Sequence, residues 1–259
     1  MREVSKKSFE KLEQNLKSNR QSYWIEAKRG QRYLFHNGKM VAKRKYKTSV
    51  EKKIKTRKEQ QKVLSLIANV KKSFTSHIKK VGTVEEIPQH YGSVYTNRIA
   101  FRELPNDTEL FYIDIKHCYW RIAFILGYIS TKVYENNLDK KEMKLYRNMA
   151  LSCTIAPKII EIHEYNKPMV IQQEDTVMHK IMYSNIRFFA WNLMGNIVNE
   201  LGKDKVFGYW TDGILVGKNE VNKVKKIFDV NNLLYRVKNC VKIDDKHYKE
   251  IERDKIKKV

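Results

Sequence analysis

The order of apolar and polar residues predicts a helix, a strand meander and a second helix in the first third of the chain. Residues 4–18 have the pattern of a short charged helix, and residues 48–80 that of a long lysine-rich helix with an apolar stripe. Three strand-like runs lie between these helices, at residues 22–27, 31–36 and 39–46. Asn37-Gly38 separates the last two runs, and this dipeptide between strands is a strong hairpin signal. We therefore predict an antiparallel meander.

From residue 109 onward, strand-like and helix-like patterns follow one another in an irregular order. The predicted strands are residues 109–114, 157–163, 205–209, 214–217, 233–237 and 240–243. The predicted helices are residues 117–126, 139–152, 175–201 and 218–230. Asp175 is the expected N-cap of the longest helix, and Gly202 its expected stop. Together these elements predict an α+β fold with an antiparallel sheet flanked by helices.

Charge divides the chain near residue 82. Of the formal net charge of +23, residues 1–82 carry +18, with 24 Lys and Arg against 6 Asp and Glu. The remaining residues have 28 against 23, which is close to balance. Residues 83–108 have no periodic pattern, and we expect them to be a linker between a basic region and a body formed by residues 109–259. A basic arm beside a near-neutral body is typical of a protein that binds a nucleic acid with one part and does chemistry with the other.

Cations and aromatic residues alternate along the predicted meander. The cations of interest are Arg32, Lys43, Arg44 and Lys45, and Tyr33, Phe35 and Tyr46 lie among them. Such a surface can bind phosphates and stack bases, so we assign these cations to DNA binding. The alternative is a half-buried hairpin with a solvated basic face.

The cysteines and the apolar runs indicate the compartment. Cys118, Cys153 and Cys240 are widely spaced and form neither a zinc pattern nor an even disulfide set, which favours a reducing compartment. No stretch approaches the eighteen apolar residues of a membrane span, and no N-terminal signal pattern is present. We expect a soluble, intracellular protein without a membrane partner.

Two aspartates stand in otherwise apolar, strand-like runs. Asp114 lies in the run 110–119 and Asp212 in the run 206–216. Burying a carboxylate is costly unless a proton, a partner or a metal neutralises it. In a basic chain, the pair indicates a site for two divalent cations, Mg²⁺ or Mn²⁺, that acts on phosphate. The alternatives are a helix N-cap for Asp114 and a turn residue before Gly213 for Asp212.

Four short motifs resemble those of family B DNA polymerases, and they follow the family's order over about residues 109–250. The matches are Asp114-Ile-Lys-His-Cys-Tyr119 to motif A, Lys144-Leu-Tyr-Arg-Asn148 to motif B, Gly208-Tyr-Trp-Thr-Asp212-Gly to motif C, and Lys246-His-Tyr248 to the Lys-x-Tyr element. The resemblance implies a polymerase palm with short helical fingers at about residues 130–156.

The resemblance also implies roles for individual residues. Asp114 and Asp212 would bind the two metal ions, with the carbonyl of Ile115 as a further ligand. Tyr119 would exclude a 2′-hydroxyl from the incoming nucleotide. The fingers helix would bind the triphosphate through Lys140, Lys141, Lys144, Arg147 and Asn148. Primer DNA would be contacted by Thr211, Lys246 and Tyr248.

Several departures from the family pattern imply a minimal form. Trp210 stands where motif C usually has its first aspartate, and Leu151-Ser152 replaces the usual Tyr-Gly of motif B. No acidic set of a proofreading exonuclease precedes the palm, and too few residues follow Tyr248 for a full thumb. We expect the basic N-terminal region to take the place of the thumb.

The resulting expectation is template-directed extension of a nucleic-acid 3′ end with dNTPs. The expected partners are a DNA primer-template, dNTPs and replication partner proteins. A phage or mobile-element origin fits a trimmed polymerase and would place the protein in the host cytoplasm. Two alternatives stay open: a catalytically inactive palm that serves as a DNA-binding or replication-assembly module, and a reverse-transcriptase-like or primase-like polymerase.

Overall fold

The computed structural model of this chain describes residues 3–28, 31–45, 54, 56–138, 143–155, 159–165, 167–173 and 176–259. Within these residues the helices are α1 Lys6–Ser18, α2 Arg57–Val81, α3 Arg98–Glu103, α4 Cys118–Ile125, α5 Thr131–Glu135, α6 Met143–Cys153, α7 Val177–Leu201 and α8 Val221–Val230. The strands are β1 Tyr23–Lys28, β2 Gln31–His36, β3 Lys39–Lys45, β4 Val94–Thr96, β5 Glu109–Ile115, β6 Ile159–His163, β7 Val170–Gln173, β8 Val206–Trp210, β9 Gly213–Gly217, β10 Tyr235–Lys242, β11 His247–Glu250 and β12 Lys255–Lys258. The predicted mixed α+β class with antiparallel sheets is confirmed.

The smaller sheet joins the N-terminal meander to a hairpin from later in the chain. Its strand order is β3-β2-β1-β6-β7, and neighbouring strands are antiparallel. Asn37 and Gly38 both have positive φ, as the tight turn of the predicted hairpin requires. Helix α1 covers one face, where Phe9 packs against Ile25 and Leu34. Because β6 pairs with β1, residues 1–82 do not complete this sheet by themselves.

The larger sheet contains the first aspartate in its central strand. Its order is β12-β11-β10-β5-β9-β8-β4. On β5, Ile113 and Ile115 face the main core, which α2, α4, α6, α7 and α8 cover. Leu110 and Tyr112 face the other side, where only the short helix α3 packs among the described helices, through Phe101. Because side chains alternate along a strand, Asp114 lies on this second, more open face.

Residues 83–92 lie along helix α7 as an extended segment. Three asparagines of α7, seven residues apart, hold it through their side chains. The bonds join Asn185 to Ile87 N–H (2.8 Å) and Glu85 C=O (2.7 Å), Asn192 to His90 N–H (2.9 Å) and Pro88 C=O (2.7 Å), and Asn199 to the Tyr91 hydroxyl (2.5 Å). The chain then continues into β4, which pairs with β8, and into α3. Residues 83–108, which the sequence led us to expect as a linker, are therefore part of the body of the fold.

Most predicted elements of the described residues are present within a few residues of their expected ends. Helix α7 stops at Gly202, whose φ is +93°. The runs 233–237 and 240–243, expected as two strands, form the single strand β10, because Lys238 interrupts the apolar pattern without interrupting the strand. Asp175, residues 139–142 and Tyr46 lie outside the described residues. In the part of the chain that is described, no helix has the length and apolar character that crossing a membrane requires.

We expect Asn185→Ala to lower the free energy of unfolding by about 2 kcal/mol, because it leaves the Ile87 N–H and the Glu85 carbonyl without partners. Asn222→Ala is the control, since it makes the same change at an exposed position of α8 and should alter stability by no more than about 0.5 kcal/mol. Urea unfolding of both variants measures the difference. Equal effects would show that the asparagine does not hold the segment.

Candidate functional site

The structure brings Asp114 and Asp212 together at one end of two neighbouring strands. Asp114 on β5 is paired with Gly213, the first residue of β9, and Asp212 directly precedes that glycine. The Ile115 N–H donates to the Asp212 carbonyl at 2.7 Å. This bond fixes the tip of the β8–β9 hairpin against the end of β5. The two carboxylates, far apart in the sequence, therefore share one site.

The hairpin tip depends on an unusual backbone and on a glycine. Thr211 has a φ of +42°, which is uncommon for a residue with a β-branched side chain, and its N–H donates to the Ser93 carbonyl at 2.7 Å. A β-carbon at Gly213 would collide with the ring of Tyr112. Glycine is therefore needed after Asp212 so that the Tyr112 ring can lie across the strand. Thr211, expected as a DNA contact, here shapes the turn that presents Asp212.

Asp114 is buried and has two cationic neighbours on β10. Arg236 lies directly opposite it, and its Nε and a terminal nitrogen reach Asp114 Oδ2 at 2.6 and 2.5 Å. The Nζ of Lys238 lies 3.6 Å from the same oxygen. From the described residues, the other oxygen, Oδ1, accepts no hydrogen bond. Asp114 is thus held in place through one oxygen while the other is left free.

The cations on this face form a chain that continues across the sheet. Lys238 lies 3.4 Å from the buried Glu250, and Lys257 lies 2.5 Å from the same carboxylate. Both lysine nitrogens sit over the ring of Tyr112, at 4.7 and 4.6 Å from its centre. Arg236, Lys238 and Lys257 were not among the residues that the sequence singled out. For Arg236 and Lys238 the available signal was the recurrence of cations at every second position of residues 236–238, within a strand that the sequence led us to divide in two.

The electrostatics of Asp212 connect the site to helix α6. The pKa of its carboxyl is raised, first because burial disfavours the charged form and second because Asp114 is close. Lys144 on α6 and Lys238 on β10 act in the opposite direction and lower this pKa. Lys144 is therefore within electrostatic range of Asp212. The expected role of Lys144 in binding a triphosphate requires it to lie this near the aspartates.

The other residues of the predicted triphosphate site have different surroundings. Asn148 is exposed one helical turn after Lys144, and the two share a face of α6. Arg147 is 2% exposed and donates to the carbonyls of Asn137 and Leu138 at 2.5 and 2.9 Å, while its other terminal nitrogen lies 2.7 Å from His117 Nδ1. Arg147 thus ties helix α6 to the start of α4. Lys140 and Lys141 lie outside the described residues.

Tyr119 is half-buried beside helix α7. Its neighbours there include Trp191, Arg187 and Tyr183, and burial is the main cause that raises its pKa to about 12. Burial is the main cause that raises the pKa of the thiol of the preceding residue, Cys118. The charges of Asp212 and Asp114 raise it further, so Cys118 is close to both aspartates. The role of Tyr119 as a steric gate stays a prediction.

The Lys-x-Tyr residues do not meet the aspartates. Lys246 lies in the turn between β10 and β11, whereas Arg236, at the other end of β10, is the residue opposite Asp114. Six residues of strand separate Arg236 from the end of β10, so Lys246 is roughly 20 Å or more from the site. Tyr248 is 1% exposed and packs with Trp210, at 6.3 Å between ring centres. It is part of the core on this face of the sheet and is not free to contact a primer.

The cations expected to bind DNA on the smaller sheet have internal partners. Arg32 makes a two-pronged ion pair with Glu161 at 3.0 and 2.8 Å, and Arg44 lies 3.6 Å from Glu10. Lys43 sits 5.9 Å from the centre of the Tyr33 ring. The side chain of Lys45 lies outside what the structure describes. These cations are part of a different sheet from the aspartates.

No protein-family model matches the chain, and no curated protein or solved structure matches it. Any assignment of function therefore depends on the motifs and on the geometry of the aspartate site. That geometry combines two close carboxylates with Arg236, Lys238 and Lys144.

The raised pKa of Asp212 predicts a pH-dependent stability in metal-free buffer. The neutral carboxyl is favoured in the folded state, so its stabilising contribution is full below the ordinary pKa of 3.8 and is lost as pH rises through the raised value. We expect Asp212→Asn to melt at a higher temperature than the unmodified protein near neutral pH, and this advantage should disappear in acid. Thermal melting across pH, with a chelator present, measures it.

Asp204→Asn is the matched control for this measurement. Asp204 is fully exposed, and a hydrogen bond from Lys205 lowers its pKa, so the substitution should not raise the melting temperature near neutral pH. If the melting temperature of Asp212→Asn near neutral pH is equal to or lower than that of the unmodified protein, the pKa of Asp212 is not raised in the folded state.

Proposed function

We propose that this protein is a minimal, family-B-like DNA polymerase that extends a nucleic-acid 3′ end with dNTPs by a two-metal mechanism. The observation that carries the proposal is the convergence of Asp114 and Asp212 at the ends of adjacent antiparallel strands. Asp114 lies on the more open face of a sheet whose other face is covered by helices, and Asp212 lies at the tip of the neighbouring hairpin. This arrangement matches what a polymerase palm requires of its two metal-binding aspartates.

The two carboxylates fit hard divalent cations such as Mg²⁺ or Mn²⁺. The raised pKa of Asp212 reflects an unfavourable charge that a cation would stabilise, and Oδ1 of Asp114 is free of hydrogen bonds from the described residues. Mg²⁺ needs few protein carboxylates, because phosphate and water complete its coordination. When bound, the two ions would activate the attacking hydroxyl and stabilise the leaving pyrophosphate.

The cations around the aspartates support handling of a triphosphate. Lys144 lies within electrostatic range of Asp212, and Asn148 is exposed on the same face of α6. The side chain of Arg236 is 44% exposed, so it can turn from Asp114 to a substrate phosphate once another cation neutralises that carboxylate. Arg147, buried and bonded to two carbonyls, keeps α6 at a set distance from His117 and is a positioning residue.

One observation favours the second candidate, an inactive palm that binds nucleic acid. Trp210 lies on the same face as Asp114, and it packs with Tyr112 and Tyr248 where a further carboxylate would otherwise approach the site. Arg236 and Lys238 already pair with Asp114. A palm without catalysis would keep this arrangement and lose the need for metal.

We expect the unmodified protein to extend a primed DNA template with dNTPs and Mg²⁺ or Mn²⁺, and Asp114→Asn or Asp212→Asn to reduce incorporation at least about 100-fold, because several kcal/mol of charge stabilisation are lost. Asp204→Asn, an equal change at an exposed position, should retain full activity. Gel-resolved primer extension measures all three.

The same assay distinguishes the alternatives. Activity that requires an RNA template would favour a reverse-transcriptase-like polymerase. Activity that needs no primer would favour a primase-like polymerase. No incorporation under any of these conditions, together with DNA binding that neither aspartate substitution changes, would overturn the proposal and favour the inactive palm.

A further inference from the structure

A second site candidate is a cavity between helix α2 and the segment from Gly127 to Asn137. Its volume is about 670 Å³, within the range of about 300–1,000 Å³ that is usual for ligand sites. Ten of the thirteen described residues that line it are lysine, serine, asparagine or histidine. Among the residues that line it in the described part of the chain, none is acidic. The cavity is therefore suited to an anion.

The α2 side of the cavity is one continuous face of the helix. The residues that form it are Asn69, Lys72, Ser73, Ser76, His77 and Lys80. Each is three or four positions from another member of the set, so together they lie on one stripe of the helix. Lys72 and Lys80 are separated by roughly 12 Å along the helix axis. The stripe is thus long enough to contact successive phosphates of an extended strand.

Three lysines line this space. Lys72 and Lys80 belong to its α2 side and Lys132 to its α5 side, where Ser130 also lines it. None of these three lysines forms an ion pair with a carboxylate of the described residues. Like charges that share a site repel one another, so an anion that enters it is stabilised by all three.

The cavity is mechanically connected to the aspartate site. Asn137 lines it, and the Asn137 carbonyl accepts from Arg147, which also contacts His117. His117 follows β5 by two residues. One buried arginine therefore joins the wall of the cavity to the residue that precedes α4.

We infer that this cavity binds the phosphodiester backbone of single-stranded nucleic acid. The choice of nucleic acid over another polyanion rests on the proposed function. His77 is the one ring that lines the cavity among the described residues, and it packs edge-on against Tyr128 at 5.0 Å. With little aromatic surface for stacking, the contacts are to phosphates and are independent of base sequence.

The test is fluorescence anisotropy of a labelled oligothymidylate with a triple variant, Lys72→Gln, Lys80→Gln and Lys132→Gln. Removal of three phosphate contacts should weaken binding about tenfold or more and reduce the slope of log affinity against log salt by about 2, since a single strand contributes about 0.7 per contact. The control variant, Lys58→Gln, Lys62→Gln and Lys79→Gln, removes the same charge from α2 outside the cavity and should have a much smaller effect.

The outcomes separate this inference from the proposed function. Equal loss of binding in the two triple variants, both shown to be folded by circular dichroism, would overturn the cavity as a site without bearing on catalysis. If only the cavity variant loses oligothymidylate binding, the cavity is supported as a site. If the unmodified protein also extends no primer, the cavity assignment stands and the polymerase assignment falls. Asp204→Asn, an exposed change outside the cavity and the aspartate site, should bind the oligothymidylate as the unmodified protein does.

Discussion

The pairing of β5 with β9 is the constraint on which the candidate site depends. It places Asp114 opposite Gly213 and so brings Asp212 to the same strand end. A slip of one residue would turn Asp114 toward the helix-covered core and Ile113 toward the open face. The core prevents this, because Ile113 and Ile115 are fully or almost fully buried among side chains of the helices. Packing on one face of the sheet thus sets the chemistry on the other.

On the open face of the sheet, three cations surround the two buried carboxylates of Asp114 and Glu250. Lys238 and Lys257 share Glu250, and Lys238 is also close to Asp114. Breaking a buried ion pair is costly because it leaves a charge without compensation. The face is therefore held as a unit, and Arg236 is its more exposed member. Arg236 is therefore the cation of this face that solvent reaches most easily.

Local pattern was sufficient to predict the β8–β9 hairpin, the meander and helix α7, because each has strong periodicity or a clear turn. It was also sufficient to single out Asp114 and Asp212 as costly carboxylates. The strand β10 could not be read correctly, since Lys238 is polar in sequence but buried by its carboxylate partners. Arg147 could not be distinguished from its exposed neighbours, because its burial depends on carbonyls that only the fold brings near.

The segment with the weakest sequence pattern has a direct part in positioning the site. This segment is neither a helix nor a strand, so its backbone groups have no regular partners. Asn185 and Asn192 of α7 supply hydrogen bonds to them and hold residues 85–90 in place. The segment then delivers Ser93, whose carbonyl accepts the Thr211 N–H at the hairpin tip. The position of Asp212 therefore depends on both a strand register and a segment that has no repeating structure. A substitution of Asn185 or Asn192 would therefore shift Ser93 and, through the bond between Ser93 and Thr211, the carboxylate of Asp212, although neither asparagine is part of the site.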